Sequence, residues 1–393
     1  MKATSAKTTP IATQQQNQKK SKNKGFLRGY YAQGLVSAPI SLASMKIVDG
    51  MRKVSELSDT DTLALSKGIT KGLEKSGLKA KGVEVFKMHE DEELSKGIKN
   101  ISKTIVEMYK KLLKGDMSDS TESFETLTQA FKKLAETNEM DMPAIEAYKK
   151  ELLSNKKFLK KMKSLENLGL EASDITDIVA KAGTTMFKMG QNACYLPNAN
   201  KIIIPDKHLQ TSVFHEMGHA LNNNGGVILK TLQKARPLAK TIPAATLLIA
   251  LLNKRPKNSP KADTTTLKGK VQYAADKIKD NAALITGLSM TPMLLEEGIA
   301  SLRGQGIAKQ LVKDGTLSKE LFKKIKLTNL GGFSSYALAL VAGVIGCKFA
   351  IKIKDNIQEK YEAKKLAKEA KKAEKLEQKL LMKETEKAQA HQG

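Results

Sequence analysis

The sequence predicts an α+β fold, predominantly helical with a small sheet. Three observations lead there. Apolar residues recur at three- and four-residue spacing through most of the chain, as in Ile98, Ile101 and Ile105, in Phe124, Leu127 and Phe131, and in Ile145, Tyr148 and Leu152. Only two short runs, 82–88 and Lys201 to Pro205, carry the β-branched content and length of strands. Turn signals such as Asp116-Met117-Ser118-Asp119 and Asn138 to Pro143 separate the helical stretches.

In order, residues 1–28 are rich in Thr, Gln and Lys and contain no acidic residue, which predicts a disordered basic tail rather than a signal sequence. Residues 29–92 hold helix and then the first strand, with Leu65, Ile69 and Leu73 on a helical stripe ended by Gly77. Residues 93–168 read as a lysine-rich helical insertion, either packing support or a partner-binding element. Residues 169–305 contain a short helix from Asp174, the Asn192-Ala193 segment, the Lys201 to Pro205 strand and the chemistry described next. Pro205 places that strand at a sheet edge. Residues 306–352 form a linker and a hydrophobic helix, and 353–393 a charged C-terminal helix in which Lys and Glu alternate in blocks.

The formal net charge is +26 over 393 residues, mostly from lysine, and it implies an anionic partner: a nucleic acid or the anionic face of a membrane. Trp is absent and no base-reading motif accompanies the charge, which argues against nucleic acid as the main partner. The two cysteines, Cys194 and Cys347, do not form a disulfide framework and suit a reducing compartment.

Val213-Phe214-His215-Glu216-Met217-Gly218-His219-Ala220-Leu221 contains HExxH. On a helix, His215 and His219 project from one face and can share a metal ion, with Glu216 beside that face. Two imidazoles and an open position suit a catalytic zinc better than a closed structural site. The competing reading is a buried helix with two satisfied histidines. Asn222-Asn223-Asn224-Gly225-Gly226 stops the helix. Cys194 is a further candidate contact to the metal, or simply a small core residue.

Downstream, Met293 to Gly304 reads as a buried helix with two carboxylates, Glu296 and Glu297, in an apolar setting. A buried carboxylate needs a partner, and a metal held by two imidazoles is one. Alternatively both glutamates sit at a helix start near Pro292 and interact with its dipole.

HExxH followed by a helix with E-x-x-A and a later Gly resembles the gluzincin metallopeptidases. Within them it is most similar to the membrane zinc endopeptidases of the heat-shock HtpX type and the CAAX prenyl proteases. Those carry an Asn-Ala segment ahead of a strand, then HExxH, hydrophobic segments and E-x-x-A-D-x-x-G. Here Asn192-Ala193, Ile202 to Ile204, His215 to His219 and Glu297 to Gly304 follow in that order, over roughly residues 185–305. The resemblance implies a zincin-like catalytic core and Glu297 as third zinc ligand. One position departs from it: the family's Asp, four residues after the ligand Glu, is Ser301. That Asp orients a ligand histidine, so zinc affinity is lower, Glu296 substitutes for it, or the site is degenerate.

Three stretches bear on a membrane: Ile242 to Leu252, Ala282 to Leu295 and Phe333 to Ile351. Basic residues on both sides of the first and third favour a re-entrant or interfacial arrangement over simple crossings. The expectation is therefore a zinc endopeptidase at the cytoplasmic face of a membrane, acting on a protein or peptide. His215, His219 and Glu297 hold Zn2+, Glu216 is the base, and Ile202, Ile203 and Ile204 on the edge strand align the substrate backbone. Arg303, Tyr336 and His208 are candidates to stabilise the oxyanion. The rival readings are a membrane-associated scaffold with a zinc-site remnant and a basic nucleic-acid-binding protein.

Overall fold

The computed structural model describes residues 46–92, 139–166, 171–253, 255 and 262–390. The expected tail at 1–28 and the helical stripes between Ile98 and Leu134 lie outside the described residues. The fold is predominantly helical with one three-stranded sheet, and the described residues pack as two compact units. The larger holds those up to Arg236 together with Thr291–Leu338, and the smaller holds those of Pro237–Met290 and Ala339–Gly393.

In the larger unit the elements are α1 (Asp59–Lys75), β1 (Glu84–Met88), α2 (Met142–Leu153), α3 (Lys156–Glu166), α4 (Ala172–Lys188), β2 (Cys194–Leu196), β3 (Lys201–Pro205), α5 (Val213–Asn223) and α6 (Val227–Ala235). The smaller contains α7 (Leu238–Leu252) and α8 (Leu267–Asp280). Two long helices, α9 (Ala282–Lys313) and α10 (Lys319–Ala390), contribute residues to both. α1 starts where Ser58 accepts a hydrogen bond from the Asp61 amide at 3.1 Å, with Asp59 and Asp61 favouring the positive helix end.

The sheet order is β1-β3-β2, with β1 parallel and β2 antiparallel to β3. This corrects the expectation that Lys201–Pro205 is an edge strand. Ile202 and Ile203 are paired on both sides, so they leave no open edge for a substrate strand, while Ile204 pairs on the β1 side alone. Their side chains are fully buried. Alternation sends Ile202 and Ile204 into one core with α1 and α5, while Ile203 enters a second with Met88, Ile145 and Phe187. Three consecutive isoleucines are the mark of a strand covered on both faces. Pro205 is tolerated because it sits at the strand's last position. Part of the segment expected as an insertion joins this second core: Ala144, Ile145 and Ala147 of α2 pack there with residues of the sheet and α4.

The competing reading, a helix start near Pro292, is not what the structure shows. Ala282 to Lys313 is one helix, and Pro292 lies inside it. Glu296 and Glu297 are mid-helix, which removes the helix-start explanation for them. Nor does a long linker follow, because only a short turn separates α9 from α10, and α10 absorbs the hydrophobic and charged C-terminal segments into one helix.

Two contacts set the distance between α5 and α9. A Cβ on Gly218 would meet the Ala300 carbonyl oxygen at 1.9 Å, and one on Gly304 would meet the Phe214 carbonyl oxygen at 2.0 Å. Ala300 and Gly304 are one helical turn apart, as are Phe214 and Gly218, so the two backbones touch along a turn. Arg303 of α9 donates to the Leu221 carbonyl at 3.0 Å and helps close the α5 terminus.

Gly304→Ala is expected to push the helices apart and to lower stability by about 1–3 kcal/mol. Gly306→Ala, on the same helix with open space around it, is expected to be neutral or to stabilise by up to about 1 kcal/mol. Urea melts of the two full-length variants decide this, and equal midpoints would refute the close-packing account.

Candidate metal centre

α5 is buried on nearly every side. Val213, Phe214 and Met217 pack against Leu65, Ile69 and Leu73 of α1, while His215, Glu216 and His219 retain 8%, 6% and 3% of their exposure. The α5 C-terminus is fixed by Asn224, whose side chain donates to the Ala220 carbonyl at 2.9 Å. Asn223 donates to the Tyr195 hydroxyl at 3.0 Å, which ties β2 to this helix. β2 follows β1 and β3 across the sheet, and its outer edge pairs with no other strand among the described residues.

The crossing of α5 and α9 brings three ligand-type atoms together. His215 Nε2 lies 3.0 Å from His219 Nε2 and 3.0 Å from Glu297 Oε2, and His219 Nε2 is 3.3 Å from the same oxygen. In a tetrahedral site with bonds of about 2.0–2.1 Å, ligand atoms stand about 3.3 Å apart. The triangle therefore has the dimensions of three corners of such a site. Protons satisfy it poorly, since a hydrogen between the two Nε2 atoms leaves one of them without a donor for the carboxylate. His215, His219 and Glu297 are thus the residues that could hold a cation, as the sequence expects, and Glu216 clusters with both histidines.

The far side of each imidazole is also held. His219 Nδ1 is 2.8 Å from Glu296 Oε1, and His215 Nδ1 is 3.0 Å from Ser301 Oγ. Glu296, one of the alternatives foreseen for the missing Asp, stands behind His219, and Ser301 itself stands behind His215. Ser301 orients one histidine and Glu296 the other, and such partners fix ring orientation and tautomer. Asn222 donates to Glu296 Oε1 at 2.9 Å.

Arg236, at the end of α6, was not anticipated as a site residue. Its guanidinium donates to Glu296 Oε2 at 3.2 Å and to Glu297 Oε1. The signal was available, because two buried carboxylates require a fixed cation, but nothing in the sequence says which of 67 basic residues supplies it. Electrostatics follow from this crowding. Burial by itself would lower the His219 pKa, but Glu297 and Glu296 outweigh it and push the imidazole up to about 10. Burial would raise Glu297, yet His219, His215 and Arg236 hold its carboxyl well below the usual range. The cluster attracts positive charge, whether proton or metal.

The remaining candidates separate cleanly. Tyr336 of α10 reaches the site, where its hydroxyl hydrogen-bonds Glu297 and feels Arg236 and Glu216. Arg303 is spent on the Leu221 carbonyl. His208 pairs through Nδ1 with Glu90 at 2.6 Å and lies 3.3 Å from an Arg52 guanidinium nitrogen. Cys194 belongs to neither His/Glu cluster. It sits on β2 with its thiol pKa pushed up by burial first and by the Glu216 charge second. No known family, curated protein or solved structure matches the chain.

Glu296→Gln, which keeps the shape but removes the charge behind His219, is expected to weaken divalent-cation binding about 10–100-fold. Competition with a chromogenic chelator measures it. Unchanged affinity would mean that Glu296 does not orient the ligand.

Proposed function

We propose that this chain is a zinc-dependent endopeptidase that acts at a membrane. The observation that carries the reading is the triangle of His215 Nε2, His219 Nε2 and Glu297 Oε2, whose sides of 3.0, 3.0 and 3.3 Å match three corners of a tetrahedral zinc site. The donor set also fits by charge. Glu216, Glu296 and Glu297 face a single guanidinium, Arg236, and a divalent ion balances them. When bound, zinc supplies Lewis acidity that activates water and polarises a scissile carbonyl. On this reading the core is zincin-like, and the resemblance to the HtpX and CAAX prenyl protease type extends to chemistry.

The chain's own groups then divide the work. Glu216 takes a proton from the attacking water as its oxygen bonds to the carbonyl carbon, and returns one to the leaving nitrogen as the C–N bond breaks. Tyr336, as an O–H donor beside Glu297, stabilises the negative charge that develops on the carbonyl oxygen. Glu296 and Ser301 hold the imidazoles, and Arg236 keeps Glu296 and Glu297 ionised. The substrate backbone pairs with the outer edge of β2, the strand tied to α5 through Tyr195 and Asn223, and not with β3.

Two features support the membrane. Among the described residues α10 is the one helix long and apolar enough to cross a bilayer, and α7 adds a shorter apolar stretch, Thr241–Leu252. The smaller unit also exposes large apolar side chains, among them Leu248, Ile249, Leu284, Leu288, Val341 and Phe349. On this reading the site faces the cytoplasm, the side where a strongly basic chain meets anionic lipid.

The test is zinc content and peptide cleavage on the purified full chain. Wild type and Glu216→Gln are both expected to carry near-stoichiometric zinc, with cleavage lowered about 100-fold or more in the variant. A wild type without zinc would sink the proposal. Tyr336→Phe is expected to lower kcat by about 10–1000-fold with KM little changed. A rise in KM alone would instead make Tyr336 a substrate contact.

A further inference from the structure

The C-terminal part of α10 segregates its charges. Lys360, Lys364, Lys368, Lys371, Lys375 and Lys379 recur every three or four residues on an unbroken, exposed helix. At about 100° per residue they share one face, and Lys365 and Lys372 border it, so that eight lysines fall within an arc of about 140°. Glu359, Glu362, Glu369, Glu374 and Glu377 all fall on the remaining arc. In the sequence these residues read as alternating blocks. On the helix they form a basic face and an acidic one. The basic face runs about 28 Å, at 1.5 Å per residue.

We propose that this face docks on the phosphate backbone of a nucleic acid, independently of base sequence. A duplex carries one negative charge per about 1.7 Å of axis, so a stretch of about 28 Å holds about sixteen phosphates on its two strands, of which the helix faces a part. The single sign of those charges matches a face that contains no acidic group. Lysine contacts phosphate as a point charge, and the face lacks arginine and has Tyr361 as its one aromatic residue, so it is not equipped to read bases.

Other occupants fit less well. A helix that lies in a bilayer surface needs an apolar face, and the bulky apolar residues here, Tyr361, Leu366 and Leu376, share their arc with Glu362, Lys365, Glu369 and Lys372. If α10 enters a membrane through its apolar segment, Lys360 stands about 13 Å and Lys379 about 42 Å beyond Ile351 along the helix, outside the Debye length of about 8–10 Å. A second copy would pair acidic with basic faces, but each chain carries +26, which opposes close approach.

The experiment is fluorescence anisotropy of a labelled random duplex of about 24 base pairs, titrated with full-length protein in neutral detergent between about 50 and 200 mM salt. The quadruple variant Lys364→Gln, Lys368→Gln, Lys371→Gln, Lys375→Gln keeps helix propensity. It is expected to bind about tenfold or more weakly and to lower the slope of log affinity against log salt by about 3–4. The triple variant Glu359→Gln, Glu362→Gln, Glu374→Gln is expected to bind at least as tightly as wild type. Chelation of zinc is expected to change neither, which separates this result from the peptidase reading. Wild-type affinity in the quadruple variant would overturn the proposal. So would absence of duplex binding, whether or not phosphatidylserine vesicles are bound or the substitutions dissociate a dimer.

Discussion

The structure of the larger unit depends on one contact, the backbone-to-backbone crossing of α5 and α9. Gly218 lies on Ala300 and Gly304 lies on Phe214, each with no room for a β-carbon. His215 and His219 face the crossing from one helix, and Glu296, Glu297 and Ser301 from the other. Every distance in the candidate site follows from it. A wider separation would part the carboxylates from the imidazoles and leave Arg236 as their shared counter-charge. Small residues here do more than fill space, because they permit the charges to meet.

The same crowding explains how so much charge is tolerated in a dry interior. Glu296 and Glu297 have no exposure at all, and Glu216 has very little. Such groups persist when each has fixed partners. Glu296 has three: His219, Asn222 and Arg236. Glu297 is held by both imidazoles, Arg236 and Tyr336. The residual imbalance, three carboxylates to one guanidinium, raises the His219 pKa to about 10, so positive charge is favoured there.

Where the sequence was legible, the pattern was local. HExxH needs only the four-residue helical spacing, and its helix appears at Val213–Asn223. The short strands at 84–88 and 201–205 were visible in β-branched runs. What failed was non-local. The place of β3 in the sheet depends on β1, which lies more than a hundred residues earlier, and Pro205 misled because a terminal proline is compatible with a central strand. Pro292 had supported only the alternative of a helix start, and it lies inside α9. Arg236 was invisible because a counter-charge carries no spacing rule. The basic face of α10 was hidden by reading lysines and glutamates along the chain rather than around the helix.

The order in which the site's parts occur along the chain has a consequence for synthesis. α5 is complete at Asn223, but its packing partner does not end before Gly304. At roughly 5–20 residues per second, the ribosome takes about 4–16 s to make that interval. Throughout it Phe214 and Met217 lack part of their cover, and both imidazoles lack their carboxylates. The nascent chain therefore passes through a stage in which an apolar helix face is partly bare and two imidazoles wait for the carboxylates that will pair with them.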